Sequence, residues 1–353
     1  MNKYKAKYLQ IAESLRKEIT EGKHPDGFLP SEGTLCEKHN VSRITVRGAL
    51  KHLEELGQLF PVPGKGWKIS DRQQRHAASP KVKNIACLCN PRLPAYGIVF
   101  NALSSIAEEA GYSISMLFNT GDSIEQFKEQ LKPENFCGII SIGVVGPKTI
   151  KGFSNTGLPT VYAVYDYPLA KDSVGTDDFD GGWLAADHLL NNGHRNIMIA
   201  NKKKIDPAFS SREEGFMRRL REEPSGKISC HCLDSPHESE SSRKELIKLL
   251  KSENSPSAMF FTTDGFAAAL LSILKSEKMQ IPKDISLIGY DNFINEDIIP
   301  DIPIDSVEQP WEKIAEYSFK RLMDKISFPD ESSHLKIQLQ PKLIIKGSVK
   351  KIK

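Results

Sequence analysis

A chain of 353 residues with 48 Lys and Arg against 45 Asp and Glu is nearly neutral and long enough for two or three ordinary domains. Its opening, MNKYKAKYLQ, lacks the apolar run of an export signal, and no stretch of about 18 uninterrupted apolar residues occurs, so a soluble, cytoplasmic protein with no membrane partner is expected. Six cysteines over this length do not form the framework of a disulfide-stapled fold and are expected to be reduced.

Charge is unevenly placed: residues 1–72 hold 13 Lys and Arg against 9 Asp and Glu, which leaves 35 against 36 for the remainder. A basic head on a neutral body suits a nucleic-acid-binding module joined to something else. The first helix is expected from Lys5 to Glu21, because Tyr8, Ile11, Leu15 and Ile19 recur on one face, and Gly22 and Pro25 end it. A second helix starts at Pro30-Ser31, with Ser31 capping free backbone donors and Leu35 facing inward. Asn40 and Val41 make a turn and Ser42 caps a third helix, whose apolar stripe is Val46, Ala49, Leu50, Leu53 and Leu56. Arg43, Arg47 and Lys51 are spaced by four and share another face. An ordinary solvated cationic face is the plain reading of such a run. Ser42 and Thr45 beside it favour DNA, because short hydroxyls at a helix start suit phosphate oxygens and arginine can bridge guanine O6 and N7. Leu59-Phe60 and Trp67-Lys68-Ile69 then flank PVPGKG, the pattern of a hairpin whose tip, with Gly64 and Lys65, can enter a minor groove.

Residues 7–69 resemble the winged helix-turn-helix of the GntR family of bacterial transcription regulators, through YLQIAESLRKEI, LPSE, NVSRITVRGAL, LEELGQL and PGKG. The resemblance implies a double-stranded DNA operator as partner, with Lys7, Glu32, Ser42, Arg43, Thr45, Arg47, Gly64 and Lys65 at the DNA side. Gly33 and Gly48 stand where relatives usually carry basic residues, and Pro63 where the wing often has a polar one. The operator sequence therefore does not transfer from relatives. Residues 70–81, SDRQQRHAASPK, offer almost nothing to a core and read as a linker. The expected division is a DNA-binding domain over 1–72, a linker over 73–81 and an effector-binding, dimerising domain over 82–353.

From Val82 onward short apolar runs alternate with helical patterns: KNIACLC, NALSSIAEEAG, YSISMLF, SIEQFKEQL, CGIISIGV and PTVYAVY. A second series runs through RNIMIA, SREEGFMRRLRE, KISCHCL, SSRKELIKLLKS, SAMFFTT, GFAAALLSILKSE and ISLIGYD. Such alternation implies parallel sheets covered by helices, in two lobes with a cleft, where ligands sit beyond the strands' carboxyl ends. Tyr96, Asp166, Arg212, Asp264 and Asp291 are the candidate effector residues on that basis. Asp264 serves equally well as a helix cap and Tyr96 as a packing aromatic, whereas Arg212 needs an acidic partner that Asp291 can supply. Cys230, His231, Cys232 and His237 place four metal-competent side chains within eight residues, yet KISCHCLD alternates like a strand with one thiol face. Neither a metal nor any other cofactor is expected.

VGTDDFDGGWLAADHLLNNGHRNIMIA, SSREEGF, IPKDISLIGYDN and PKLIIKGS resemble the effector domain of the LacI/GalR regulators, which is similar to periplasmic sugar-binding proteins. That implies an α/β fold, a winged helix-turn-helix plus a two-lobed periplasmic-binding-protein-like domain, with sugar hydroxyls held at Arg212 and Asp291. Thr263 replaces an asparagine common in relatives. A GntR head on a LacI-like body resembles the arabinose-repressor type, which binds operators as a homodimer and answers to a small sugar. The function expected is a transcription regulator, a repressor, controlled by a small-molecule effector. Its rivals are a cytoplasmic sugar sensor with a non-functional head, a transport binder and an enzyme. The first ten residues argue against the transport binder, and no Gly-x-Ser-x-Gly elbow, phosphate loop, HExxH helix or dinucleotide fingerprint supports the enzyme. His188 and His194 are expected to be structural.

Overall fold

A computed structural model describes residues 3–21, 23–55, 58–62, 64–69, 82–89, 95–119, 124–143, 146–164, 167–201, 207–224, 228–234, 239–293, 303–329 and 333–352. Gly22, Leu56, Pro63, His237 and the linker lie outside them. The chain divides into two compact units, Met1–Lys81 with Met323–Glu331, and Val82–Leu322 with Ser332–Lys353.

In the head, helices α1 (Lys3–Thr20), α2 (Glu32–His39) and α3 (Arg43–Glu55) precede a hairpin of β1 (Leu59–Val62) and β2 (Gly66–Ile69). The apolar stripes meet as their spacing requires: Ile11, Leu15 and Ile19 pack with Leu35, Val46, Leu50 and Leu53, and Leu59 and Ile69 close the cluster. Ser31 starts α2 by accepting from Thr34 N at 3.2 Å. Asn40 ends it in the left-handed region at φ 49, a conformation asparagine tolerates better than most residues. The hairpin is tied to the helices through backbone, since Leu29 N donates to Trp67 O at 2.9 Å and Ile69 N to Gly27 O at 2.8 Å.

The first half of the body runs β3 (Asn84–Cys89), α4 (Ala95–Glu109), β4 (Ser113–Phe118), β5 (Gly138–Ile142), α5 (Pro147–Ser154), β6 (Thr160–Val164) and β7 (Ser173–Thr176). The second runs α6 (Asp178–Asn191), β8 (Asn196–Asn201), α7 (Pro207–Arg221), β9 (Ser229–Asp234), α8 (Glu240–Leu250), β10 (Ala258–Phe261), α9 (Ala267–Ser276), β11 (Ser286–Asp291) and β12 (Asp305–Glu308). Helix α10 (Trp311–Ser327) and strands β13 (Lys336–Leu339) and β14 (Lys342–Ile344) follow. Two six-stranded sheets result, ordered β13-β7-β6-β5-β3-β4 and β14-β12-β11-β10-β8-β9. Among the described strands of the body, β14 alone pairs antiparallel, against β12. The chain passes between the sheets after β7, after β12 and again between β13 and β14.

One expectation fails. SIEQFKEQL, read as a helix, forms only a short 3-10 turn over Glu125–Phe127 followed by hydrogen-bonded turns. Pro133 bounds this stretch two residues later and disfavours helical backbone just before it. Ile124 and Leu131 still reach the core, from turns.

Both histidines have protein partners. His188, on α6, faces Asp305 Oδ2 at 2.9 Å, while Asp305 Oδ1 accepts the backbone N–H groups of Lys346, Gly347 and Ser348 at 2.7, 2.7 and 3.1 Å. His194 is fully buried between Ser257 Oγ at 2.9 Å and Lys350 O at 3.1 Å. These contacts fasten the C-terminal segment onto the second sheet.

Candidate functional site

On α3, Val46, Ala49, Leu50 and Leu53 turn inward, so Arg43, Arg47 and Lys51 are left exposed on the opposite side. Arg47 Nε donates to Glu32 Oε2 at 2.8 Å, and this is its one hydrogen bond among the described residues. The terminal nitrogens of the guanidinium, the pair that forks onto guanine, are therefore not consumed. Glu32 thus orients an arginine; a carboxylate is itself a poor neighbour for phosphate.

Ser42 is exposed, but Thr45 departs from expectation: it is 7 % exposed, and its hydroxyl lies 3.0 Å from Ser42 Oγ. Three residues apart at a helix start, the two hydroxyls share one hydrogen bond. Lys7, Gly64 and Lys65 are exposed, and Gly64 has a φ of 76° that favours glycine in the hairpin tip. Gly48 sits under Tyr8, whose ring and Cβ lie 3.5 Å from where its Cβ would be. Ile44, which the motif reading passed over, is 80 % exposed. The available signal was that it is apolar yet falls outside the 46, 49, 50, 53 stripe.

In the body, Asp291 ends β11 with φ 100°, and Val164 ends β6 with φ 84°. Both are unusual for residues with side chains, and both mark carboxyl ends of central strands, one in each sheet. Asp291 Oδ1 accepts from Gln309 Nε2 at 2.6 Å and Oδ2 from Thr263 Oγ1 at 2.5 Å, and its carbonyl accepts from Trp311 Nε1 at 3.2 Å. Burial pushes its carboxyl above the usual range, against the opposing pull of Arg212, Thr263 and Gln309.

Arg212 and Asp291 do meet, at 3.3 Å. Arg212 is held by further protein groups as well. It is 1 % exposed, with Nε on Asp178 Oδ1 at 2.7 Å, a terminal nitrogen on Thr262 O at 2.7 Å and its guanidinium 3.7 Å from the centre of the Tyr290 ring. With those contacts made, it also positions Asp291. Gly182 and Gly215 allow this, because a Cβ on either would come within 1.9 Å of a carbonyl oxygen of the facing helix, Arg212 O or Phe179 O.

Asp264 is buried. Its carboxylate lies against Gly289 and 3.3 Å from Ser306 Oγ, and it is not the cap of α9, whose N-cap Phe266 makes no side-chain bond. Tyr96 is buried in the first turn of α4, with its ring against Gly143 at the end of β5. Asp166 lies outside the described residues. Asp178, Thr263, Gln309 and Thr176 complete the cluster without having been singled out as site residues. Gln309 bridges Asp291 and Thr176, whose hydroxyl donates to Gln309 Oε1 at 2.6 Å.

Cys230, His231 and Cys232 alternate on the edge strand β9. The bond with Cys232 and desolvation push the Cys230 thiol far up, which disfavours the thiolate that a metal would need. Among the described residues no group of three or more His, Cys, Asp or Glu is placed to hold a metal.

Residues 7–69 match the family described as bacterial regulatory proteins, gntR family, and residues 186–349 match the periplasmic binding protein-like domain. The arabinose metabolism transcriptional repressor of Halalkalibacterium halodurans is 26 % identical over 370 residues, covering 98 % of this chain and 97 % of the relative. That of Geobacillus stearothermophilus is 26 % identical over 365 residues, covering 98 % of each. A LacI family transcriptional regulator from Enterococcus faecium, solved with bound ribose, aligns with a TM-score of 0.63 and 25 % identity over 77 % of this chain and all of that one. The chain is therefore a transcription regulator that joins a DNA-binding head of the gntR family to a periplasmic binding protein-like body.

Proposed function

We propose that this protein is a cytoplasmic transcriptional repressor, not an enzyme, whose hold on operator DNA is set by a small sugar in the cleft of the body. The observation that carries the reading is the wiring of Asp291. A carboxylate at a strand's ligand end is bonded to Gln309, and Gln309 is bonded to Thr176, where the chain leaves the first sheet. A ligand competing for Asp291 thereby acts on the connection between the lobes. It shifts the protein only if its affinity differs between the two lobe arrangements.

In this reading the domain spans are 1–72 and 82–353, joined by the linker 73–81. Arg43 and Arg47 read bases, while Lys7, Ser42, Gly64 and Lys65 hold backbone. Tyr96, Asp166, Arg212, Asp264 and Asp291 are the effector residues. One head makes few base contacts, each good bidentate arginine being worth about 1–3 kcal/mol, so a homodimer paired through the bodies supplies useful specificity. The full-length likeness to arabinose repressors and the ribose held by the Enterococcus regulator support a sugar.

The test is a thermal-shift screen of the full chain against pentoses, hexoses, uronic acids and disaccharides, followed by DNA-binding anisotropy with each sugar that raises the midpoint. Asp291→Asn, which keeps the shape and tolerates the left-handed backbone, is expected to lose the sugar response and keep DNA binding. A protein that grips DNA equally with the cleft empty or saturated would refute the coupling.

A further inference from the structure

Ile44 is the most exposed of the large hydrophobic side chains described, at 80 %, and it stands in the first turn of α3 between Arg43 and Arg47. Nothing in the head core asks for it, since Val46, Ala49, Leu50 and Leu53 make the buried stripe. Nor does α3 cover it. Side chains lean towards a helix's N-terminus, so residue 48 is the one that would lie over residue 44, and position 48 is glycine. Tyr8 lies 3.5 Å from where a Cβ on Gly48 would stand, at ordinary contact distance.

An isolated β-branched side chain within a cationic surface needs a partner that is anionic around its edge and apolar at one point. The major groove of DNA offers that combination: phosphates line its rim, and the C5-methyl group of thymine is the apolar feature on its floor. The cations are in place, because Arg43, Arg47 and Lys51 are exposed on the same helix. Isoleucine is stiff at χ1, so it loses little rotamer freedom on contact.

We propose that Ile44 reads a thymine methyl, making it a specificity-determining residue beside Arg43 and Arg47. The inference rests on the DNA-reading role of α3 and adds to it a base identity that arginine cannot recognise.

The test begins with selection of random duplexes by the full-length protein at fixed salt. Each thymine of the selected duplex is then replaced by deoxyuridine, which removes only the methyl group, and affinities are read by anisotropy. One thymine per half-site is expected to lose roughly 3- to 10-fold on replacement, with the loss falling below about 2-fold in Ile44→Ala. Because the side chain is exposed, the variant is expected to keep its thermal midpoint. A duplex that is selected but whose deoxyuridine penalties are identical in wild type and Ile44→Ala overturns the thymine assignment alone, and is the result if Ile44 instead meets another protein. Failure to select any duplex overturns the DNA-reading role of α3 together with it.

Discussion

Gln309 Nε2 lies 2.6 Å from Asp291 Oδ1, and the same side chain accepts from Thr176 Oγ1 at 2.6 Å. Gln309 and Thr176 are each 2 % exposed. A carboxylate at the carboxyl end of β11 is thus joined by one amide to the last residue of β7, across the boundary between the two sheets. Glutamine suits the place because it donates on one side and accepts on the other.

Gln309→Ala removes one donor from Asp291 Oδ1 and leaves the Thr176 hydroxyl without its acceptor. A buried polar group left unsatisfied costs about 1–3 kcal/mol, so the urea midpoint of the full chain is expected to fall accordingly. The variant's DNA release should also respond less to any sugar that stabilises the wild type. An unchanged midpoint would show that the bridge adds nothing to the fold.

Arg47→Ala is expected to weaken operator binding by at least about 10-fold while leaving the thermal midpoint unchanged, since the side chain is 68 % exposed. Arg47→Lys should not restore binding, because lysine lacks the planar fork. Glu32→Gln is expected to lose less, as it weakens the orientation of Arg47 without removing the guanidinium. Anisotropy at constant salt separates the three. Equal affinity for wild type and Arg47→Ala would take this residue out of the reading face.

Burial tends to raise the Asp305 carboxyl, but the His188 bond and the N–H groups of Lys346, Ser348 and Gly347 outweigh it and hold the group below the usual range. A depressed carboxyl contributes stability that is full above the unfolded value near 3.9 and is lost as pH falls through the folded one. Asp305→Asn is expected to destabilise by about 2 kcal/mol at neutral pH and to speed amide exchange at residues 346–348. Native-like exchange at those amides would rule out the fastening role.

His194 behaves oppositely in charge and similarly in direction. Desolvation lowers its pKa to about 4, so the folded protein resists protonating a ring that the unfolded chain protonates near 6.5. Between those values the unfolded state binds more protons, and stability falls with falling pH by at most about 1.4 kcal/mol per unit. His194→Asn should flatten the pH dependence between about 6.5 and 4 while leaving the Asp305 window below it. A slope unchanged by the substitution would count against this histidine.

Much of the head was legible because its signals are local. Ser31, Asn40 and the 46, 49, 50, 53 stripe each act within a turn or two of chain, and the spacing alone places them. The body's alternation of strand and helix was equally plain, apart from SIEQFKEQL, where periodicity without length misled. The burial of Thr45 was not legible, because a hydroxyl at a helix start looks the same in sequence whether it faces water or the serine three residues earlier.

The sequence by itself determined the two-part organisation, the class of each part, the exposed arginines of α3 and the meeting of Arg212 with Asp291. Only the tertiary structure decided that Arg212 also meets Asp178 and Thr262, that Asp264 turns to Ser306, and that Thr176, Asp178, Thr263 and Gln309 complete the cluster. The reason is range: periodicity and capping are set by neighbours along the chain, whereas the bond between Thr176 and Gln309 joins residues 133 positions apart. Such a pair comes together only when both sheets have formed and the chain has crossed between them.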